Sequence, residues 1–157
     1  MFDEGAEALK MATWDMFEWL RKLHEDGQLK TDFVNMEMVL PYHAPCQYRA
    51  HRVGRPAFEL LSIIPGIDAR KARLAAAALP EPMAIKKRNI KSPMDVGQEL
   101  FDFVHDQGDE ATMTACDSET CRWQMEYGTD LPSRHPIEIL AAAYGLYDSE
   151  NRQLTNE

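Results

Sequence analysis

The chain has 157 residues, which is enough for one domain with a single hydrophobic core. Hydrophobic residues make up 45% and charged residues 27% of it, an ordinary globular composition. The net charge of −9 argues against broad nucleic-acid binding, because a phosphate backbone attracts basic surfaces. No apolar run reaches the ~18 residues of a membrane span. Residues 1–4 carry no secretory-signal pattern, so we expect a cytoplasmic protein.

Helix-like and strand-like patterns alternate along the chain. Helical periodicity of apolar residues predicts helices over 4–24, 55–64, 94–105, 121–127 and 136–144. Apolar, β-prone runs predict strands over 34–40, near 67 and over 111–115. This alternation predicts an α/β fold with a short, mainly parallel sheet flanked by helices.

The segment 74–93 has a different composition from the rest. Four alanines at 75–78 run directly into helix-breaking prolines at 80 and 82, so no single element is predicted there. From Arg70 to Lys91 the chain has seven basic residues and only one acid, Glu81, although the whole chain is acidic.

The three cysteines are Cys46, Cys116 and Cys121. An odd number without export features argues against a disulfide framework. Cys116 ends a predicted strand, Cys121 lies at the start of the next helix, and Cys46 follows a strand and two prolines. We therefore expect all three on loops at the carboxyl edge of the sheet, where α/β folds bind ligands. Thiolates there suit iron or zinc, although two buried thiols can also act as small hydrophobes.

Histidines and carboxylates near these cysteines have simpler explanations. His43 and His51 flank Cys46 and could bind a metal, but bracing a loop is the more common role. His135 is expected to cap or pack at the start of the last helix. Asp117 and Glu119 are better explained by helix-start capping than by acid–base catalysis.

Five short segments carry a resemblance to a known family. They are Tyr42-His43-Ala44-Pro45-Cys46-Gln47, Ile64-Pro65-Gly66, Asp95-Val96-Gly97, Cys116-Asp117-Ser118-Glu119-Thr120-Cys121-Arg122-Trp123-Gln124 and His135-Pro136-Ile137. In these the chain resembles the C-terminal cysteine-rich (CCG) domain found in the iron–sulfur subunit of anaerobic glycerol-3-phosphate dehydrogenase. Heterodisulfide reductase and related iron–sulfur oxidoreductases have the same domain type. The resemblance spans roughly 8–147 and predicts one cysteine-rich domain over 1–147 with a polar tail over 148–157.

The resemblance implies a non-catalytic electron-transfer role. It implies a [4Fe–4S] cluster bound by Cys46, then a Cys-Cys-Gly, then Cys116 and Cys121. Electrons from glycerol-3-phosphate oxidation would pass toward the quinone pool. The implied partners are flavin-containing dehydrogenase subunits, and the implied location is the inner face of the cell membrane, reached peripherally through the complex. The ferredoxin-like motifs and first cysteine-rich domain of the full family protein are not present in this sequence.

The central Cys-Cys-Gly of the family is missing. It should fall near Ala76 and Ala77, where the chain has Ala75-Ala76-Ala77-Ala78-Leu79-Pro80 instead. Read in a shifted frame, the codons of these residues permit Cys-Cys-Gly. Either the segment 74–93 is translated out of frame, or the two cysteines have been lost from this protein. With this sequence, we expect the cluster to be incompletely ligated. The alternatives are a structural zinc domain that uses the three cysteines and a thiol enzyme with Cys116 or Cys121 as nucleophile.

Overall fold

The computed structural model describes residues 4–72 and 93–146. Within these ranges the α-helices are α1 (Glu4–Ala12), α2 (Met16–Glu25), α3 (Cys46–His51), α4 (Pro56–Leu61), α5 (Pro93–His105), α6 (Glu119–Thr129) and α7 (Pro136–Ala143). The strands are β1 (Met38–His43), β2 (Ile67–Lys71), β3 (Thr114–Cys116) and β4 (Ser133–Arg134). The alanine–proline segment with Ala76 and Ala77 lies outside the described residues. No helix in the described ranges is long and apolar enough to cross a membrane.

The four strands form one parallel sheet in the order β2-β1-β3-β4. The α/β fold with a parallel sheet, predicted from the alternation of patterns, is therefore confirmed. β1 and β3 are the central strands, and they end together, with His43 opposite Cys116. Ligand-binding residues in such sheets lie beyond this carboxyl edge.

The sheet separates two groups of buried side chains. Successive strand residues point to opposite faces, so Ala115 packs on one side and Cys116 on the other. The larger group includes Phe17 of α2, Leu60 of α4 and Ile139 of α7. The smaller group consists of Ala72, Leu100, Cys116, Cys121 and Met125. The cysteine pair is thus part of the layer formed by α5 and α6.

The helix predicted over 4–24 is two helices, so that prediction was wrong in its continuity. Asp15 interrupts it by capping α2: its side chain accepts hydrogen bonds from Phe17 N at 2.9 Å and Glu18 N at 3.4 Å. The helical spacing of apolar residues continues across Asp15, so this spacing alone did not indicate the break between α1 and α2. α1 has no buried residues, and Leu9 and Met11 on it are about 70% exposed (69% and 72%).

The strand predicted over 34–40 lies further along the chain, at β1. Residues 34–37 belong to no strand, and two of them bond elsewhere: Val34 N donates to Ala143 O, and Met36 N to Pro65 O. Pro41, predicted to lie in a loop, is inside β1, because the fixed φ of proline stays within the β region.

A phenylalanine ring is packed between two helical glycines on α5 and α6. A Cβ at Gly97 would lie 2.4 Å from Phe101 Cζ, and a Cβ at Gly128 would lie 2.5 Å from the same atom. The sequence predicts a helix end at Gly128, but α6 continues to Thr129. The role of Gly128 is to leave room for the ring, so that prediction of a helix end was wrong.

Candidate cysteine site at the carboxyl edge of the sheet

The three cysteines follow the ends of the two central strands. Cys116 is the last residue of β3, and Cys121 is in the first turn of α6. Cys46 is the first residue of α3, three positions after the end of β1. Cys116 and Cys121 are buried, with 0% and 4% of their surfaces exposed, whereas Cys46 is exposed.

Cys116 and Cys121 are packed together in one small buried cluster. The interaction between the two thiols lowers the pKa of Cys121 and raises that of Cys116. Burial raises the pKa of Cys116 further, whereas the Ser118 backbone N–H, 3.4 Å from Cys116 Sγ, acts in the opposite direction. The interaction therefore favours a pair that shares one proton.

His43 lies beside this pair. It is fully buried, and neither of its ring nitrogens has a hydrogen-bond partner of good geometry. The ring is nevertheless close enough to Cys121 to lower the pKa of that thiol. His51, the other histidine near Cys46 in sequence, is exposed on α3. Of the two, His43 is the one that the structure brings to the cysteine pair.

A buried carboxylate with two tyrosine partners lies next to Cys116. Tyr42 Oη donates to Asp117 Oδ2 at 2.6 Å, and Tyr48 Oη to Asp117 Oδ1 at 2.9 Å. Burial raises the pKa of Asp117, while the two phenolic donors oppose that shift. Tyr48 Oη is also 3.2 Å from Asp15 Oδ1, so its single proton can be given to either carboxylate.

Helix-start capping, predicted for Asp117, is not what its side chain does. Ser118 is the N-cap residue of α6, and its side chain makes no capping hydrogen bond. The Asp117 carboxylate is directed to the tyrosines because β1 and α3 approach it there. Sequence reasoning missed this network, since its members are separated by up to 75 positions; the only signal was Tyr42 within a motif.

Other residues hold the loop after β3 and the start of α7. Arg122 Nη1 donates to the carbonyl oxygens of Cys116 at 2.9 Å and Asp117 at 3.2 Å. His135 Nδ1 accepts from Ile137 N at 3.2 Å, and Glu138 accepts from His135 N at 2.8 Å. The prediction that His135 caps the last helix is confirmed.

The residues present do not fit a complete iron–sulfur cluster. A [4Fe–4S] cluster is held by four thiolates, and the chain has three cysteines in all. Two of them are buried in one cluster, and the third is exposed. Across 4–72 and 93–146, no three His, Cys, Asp or Glu side chains are grouped so that they could hold a metal ion.

The fold and site define an α/β protein with a parallel sheet and a buried cysteine pair at its carboxyl edge. The chain is 32% identical over 126 residues to the C subunit of anaerobic glycerol-3-phosphate dehydrogenase from Escherichia coli strain K12. The same protein of E. coli O157:H7 gives the same identity over the same length. The match covers 80% of this chain but 31% of each relative, so the chain spans about a third of their length.

Comparisons with protein families and with solved structures give no match. The chain matches no protein-family model. No solved structure matches it significantly. The similarity to the dehydrogenase polypeptide supports a relationship to that protein over most of this chain.

Proposed function

We propose that this chain is an electron-transfer module of an oxidoreductase complex, equivalent to the cysteine-rich C-terminal part of the glycerol-3-phosphate dehydrogenase polypeptide that it resembles. The observation that carries the proposal is the 32% identity over 126 residues. The module would be non-catalytic and would pass electrons from glycerol-3-phosphate oxidation toward the quinone pool. Its partners would be the flavin-containing subunits of the complex, at the inner face of the cell membrane.

The proposed cluster ligands are Cys46, Cys116 and Cys121, within one domain over 1–147. The order of the strands supports this assignment, because all three cysteines lie at or shortly after the ends of two adjacent strands. Three thiolates leave a cluster one protein ligand short. We therefore propose that electron transfer through this chain is impaired, and that the missing Cys-Cys-Gly is the cause.

The experiment mixes the purified chain with the flavin-containing subunits of an anaerobic glycerol-3-phosphate dehydrogenase and measures co-elution on a sizing column. We expect co-elution, since docking depends on the folded surface rather than on a filled cluster. A chain without its partner subunits and a matched unrelated acidic protein are the controls. Failure to co-elute under reducing, anaerobic conditions would contradict the proposed place in the complex.

A structural zinc site is the second candidate function. Three cysteines at or near neighbouring strand ends would supply three of the four ligands of a structural zinc site. Metal analysis separates the two functions. The zinc function predicts one zinc per chain with no acid-labile sulfide, and the electron-transfer module predicts iron with sulfide, below one cluster per chain.

A further inference from the structure

We infer that Cys116 and Cys121 form an oxidisable dithiol, which closes to an intramolecular disulfide when the metal-free chain meets hydrogen peroxide. Nothing in the proposed electron-transfer function requires this reaction, and it is tested without iron or partner subunits. The two cysteines are buried together in one small apolar cluster of five buried residues.

The local backbone brings the two cysteines to the same buried cluster. Cys116 ends β3, and Cys121 lies in the first turn of α6, so a loop of two residues and the first two helical residues separate the two cysteines. We expect side-chain rotation within this cluster to bring the two sulfur atoms to the S–S distance of about 2.0 Å. Arg122 holds the carbonyl of Cys116 and so keeps the start of this loop in place.

The surroundings of the pair select an internal reaction. Cys46 is exposed, at the start of a different helix, and has no place in the buried cluster that contains Cys116 and Cys121. Within the described ranges, no third His, Cys, Asp or Glu joins the pair in a group that could hold a metal ion. Each thiol of the pair therefore has the other as its nearest reaction partner.

The reaction proceeds in two balanced steps. Cys121, which retains 4% exposure while Cys116 has none, is the thiol that peroxide reaches. Its sulfur takes one oxygen as the O–O bond breaks, giving a sulfenic acid and one water, and the peroxide is reduced by two electrons. Cys116 sulfur then attacks Cys121 sulfur: the S–S bond forms, the S–O bond breaks, and the hydroxyl leaves with the Cys116 proton as a second water.

The test treats the reduced, metal-free full chain with one equivalent of hydrogen peroxide and then alkylates the remaining thiols. We expect the number of free thiols to fall from the three of the sequence to one, that of Cys46. Peptide mass spectrometry should show the peptides of Cys116 and Cys121 joined, with a mass lower by two hydrogens. A dithiol reductant should restore all three thiols.

Two variants sharpen the result. In Cys116→Ser, oxidation should stop at the sulfenic acid of Cys121, which dimedone traps. Cys46→Ser, the matched control at an exposed position, should form the disulfide as the natural chain does. Three free thiols after treatment, a disulfide that contains Cys46, or oxidation beyond the sulfenic acid in the natural chain would each overturn the inference. If Cys116→Ser does not fold, the peptide map of the oxidised natural chain is sufficient to show whether the Cys116–Cys121 disulfide forms.

Discussion

Asp117 is the residue on which the polar side of the site depends. It lies directly after Cys116 and accepts hydrogen bonds from the hydroxyls of Tyr42 and Tyr48. Burial raises its pKa, so its charged form depends on these donors for compensation. Tyr42 is almost fully buried, and water cannot replace its hydroxyl without rearrangement.

Tyr42→Phe removes one donor and is expected to lower the free energy of unfolding by about 1.5–3 kcal/mol, the usual worth of a hydrogen bond to a charged group. Urea unfolding at neutral pH measures the loss. Tyr127→Phe is the matched control. Because Tyr127 is 78% exposed, this substitution should hardly change the free energy of unfolding. Equal stability of the two variants would contradict the role given to the Tyr42 hydroxyl.

His135 makes the start of α7 sensitive to pH. Burial is the largest cause that lowers its pKa below 6.5, so the unfolded chain takes up this proton more readily than the folded chain. The stability that its cap contributes is therefore complete above pH 6.5. It is lost as the pH falls from 6.5 toward the lowered value, because a protonated Nδ1 cannot accept from Ile137 N.

His135→Asn keeps a capping acceptor but does not titrate. We expect the natural chain to lose stability relative to this variant as the pH falls below 6.5, and to match it above that value to within about 1 kcal/mol, the worth of a cap. Thermal unfolding across this pH range measures the difference. If stability falls with pH in the same way for both proteins, the pH-dependent capping role given to His135 is wrong.

At the scale of elements, α5 and α6 are held together by the ring of Phe101 between Gly97 and Gly128. Gly97→Ala would bring a methyl group within 2.4 Å of the ring, which is almost fully buried. We expect a loss of about 1–3 kcal/mol in the free energy of unfolding, the usual cost of overpacking. Chemical unfolding measures it.

Two further variants control for the glycine itself. Gly5→Ala makes the same change at an exposed position of α1 and should cost nothing, since alanine favours helix. Phe101→Leu combined with Gly97→Ala should be no less stable than Phe101→Leu alone, because the clash is removed. A Gly97→Ala loss that persists in the Phe101→Leu background would show that the ring is not its cause.

The periodicity of apolar residues predicted which helices and strands exist better than it predicted the residues at which they begin and end. The helix over 94–105 and the last helix have clear apolar spacing, and both lie within a residue of the predictions. The division between α1 and α2 was missed, because it depends on the Asp15 side chain rather than on apolar spacing. The strand was predicted too early because residues 34–37 are as apolar as a strand, yet Val34 and Met36 hydrogen-bond outside the sheet.

The candidate site was predictable in its cysteines but not in their surroundings. Cys116 and Cys121 are close in sequence, and a strand-to-helix junction brings them together by local geometry alone. The contact of Tyr48 with Asp15 and Asp117 joins three separate elements, and no local pattern encodes it. His43 reaches the pair only through the register of β1 against β3.

At the scale of the whole molecule, a chain related to the dehydrogenase polypeptide over most of its length has too few thiolates for the cluster that the relationship implies. The resemblance places the deficit at Ala76 and Ala77, where it predicts two cysteines. Every other proposed ligand, Cys46, Cys116 and Cys121, is present in the expected order. We therefore propose that these two positions limit cluster binding.

The most direct test reconstitutes two proteins anaerobically with iron and sulfide and measures both elements per chain. One is the natural chain, and the other carries Ala76→Cys, Ala77→Cys and Ala78→Gly together with the family's downstream loop. We predict that the natural chain holds well below one cluster, and that the variant gains iron and sulfide in equal amounts with reversible reduction. A stoichiometric, normally reducible cluster in the natural chain would contradict the proposed limit.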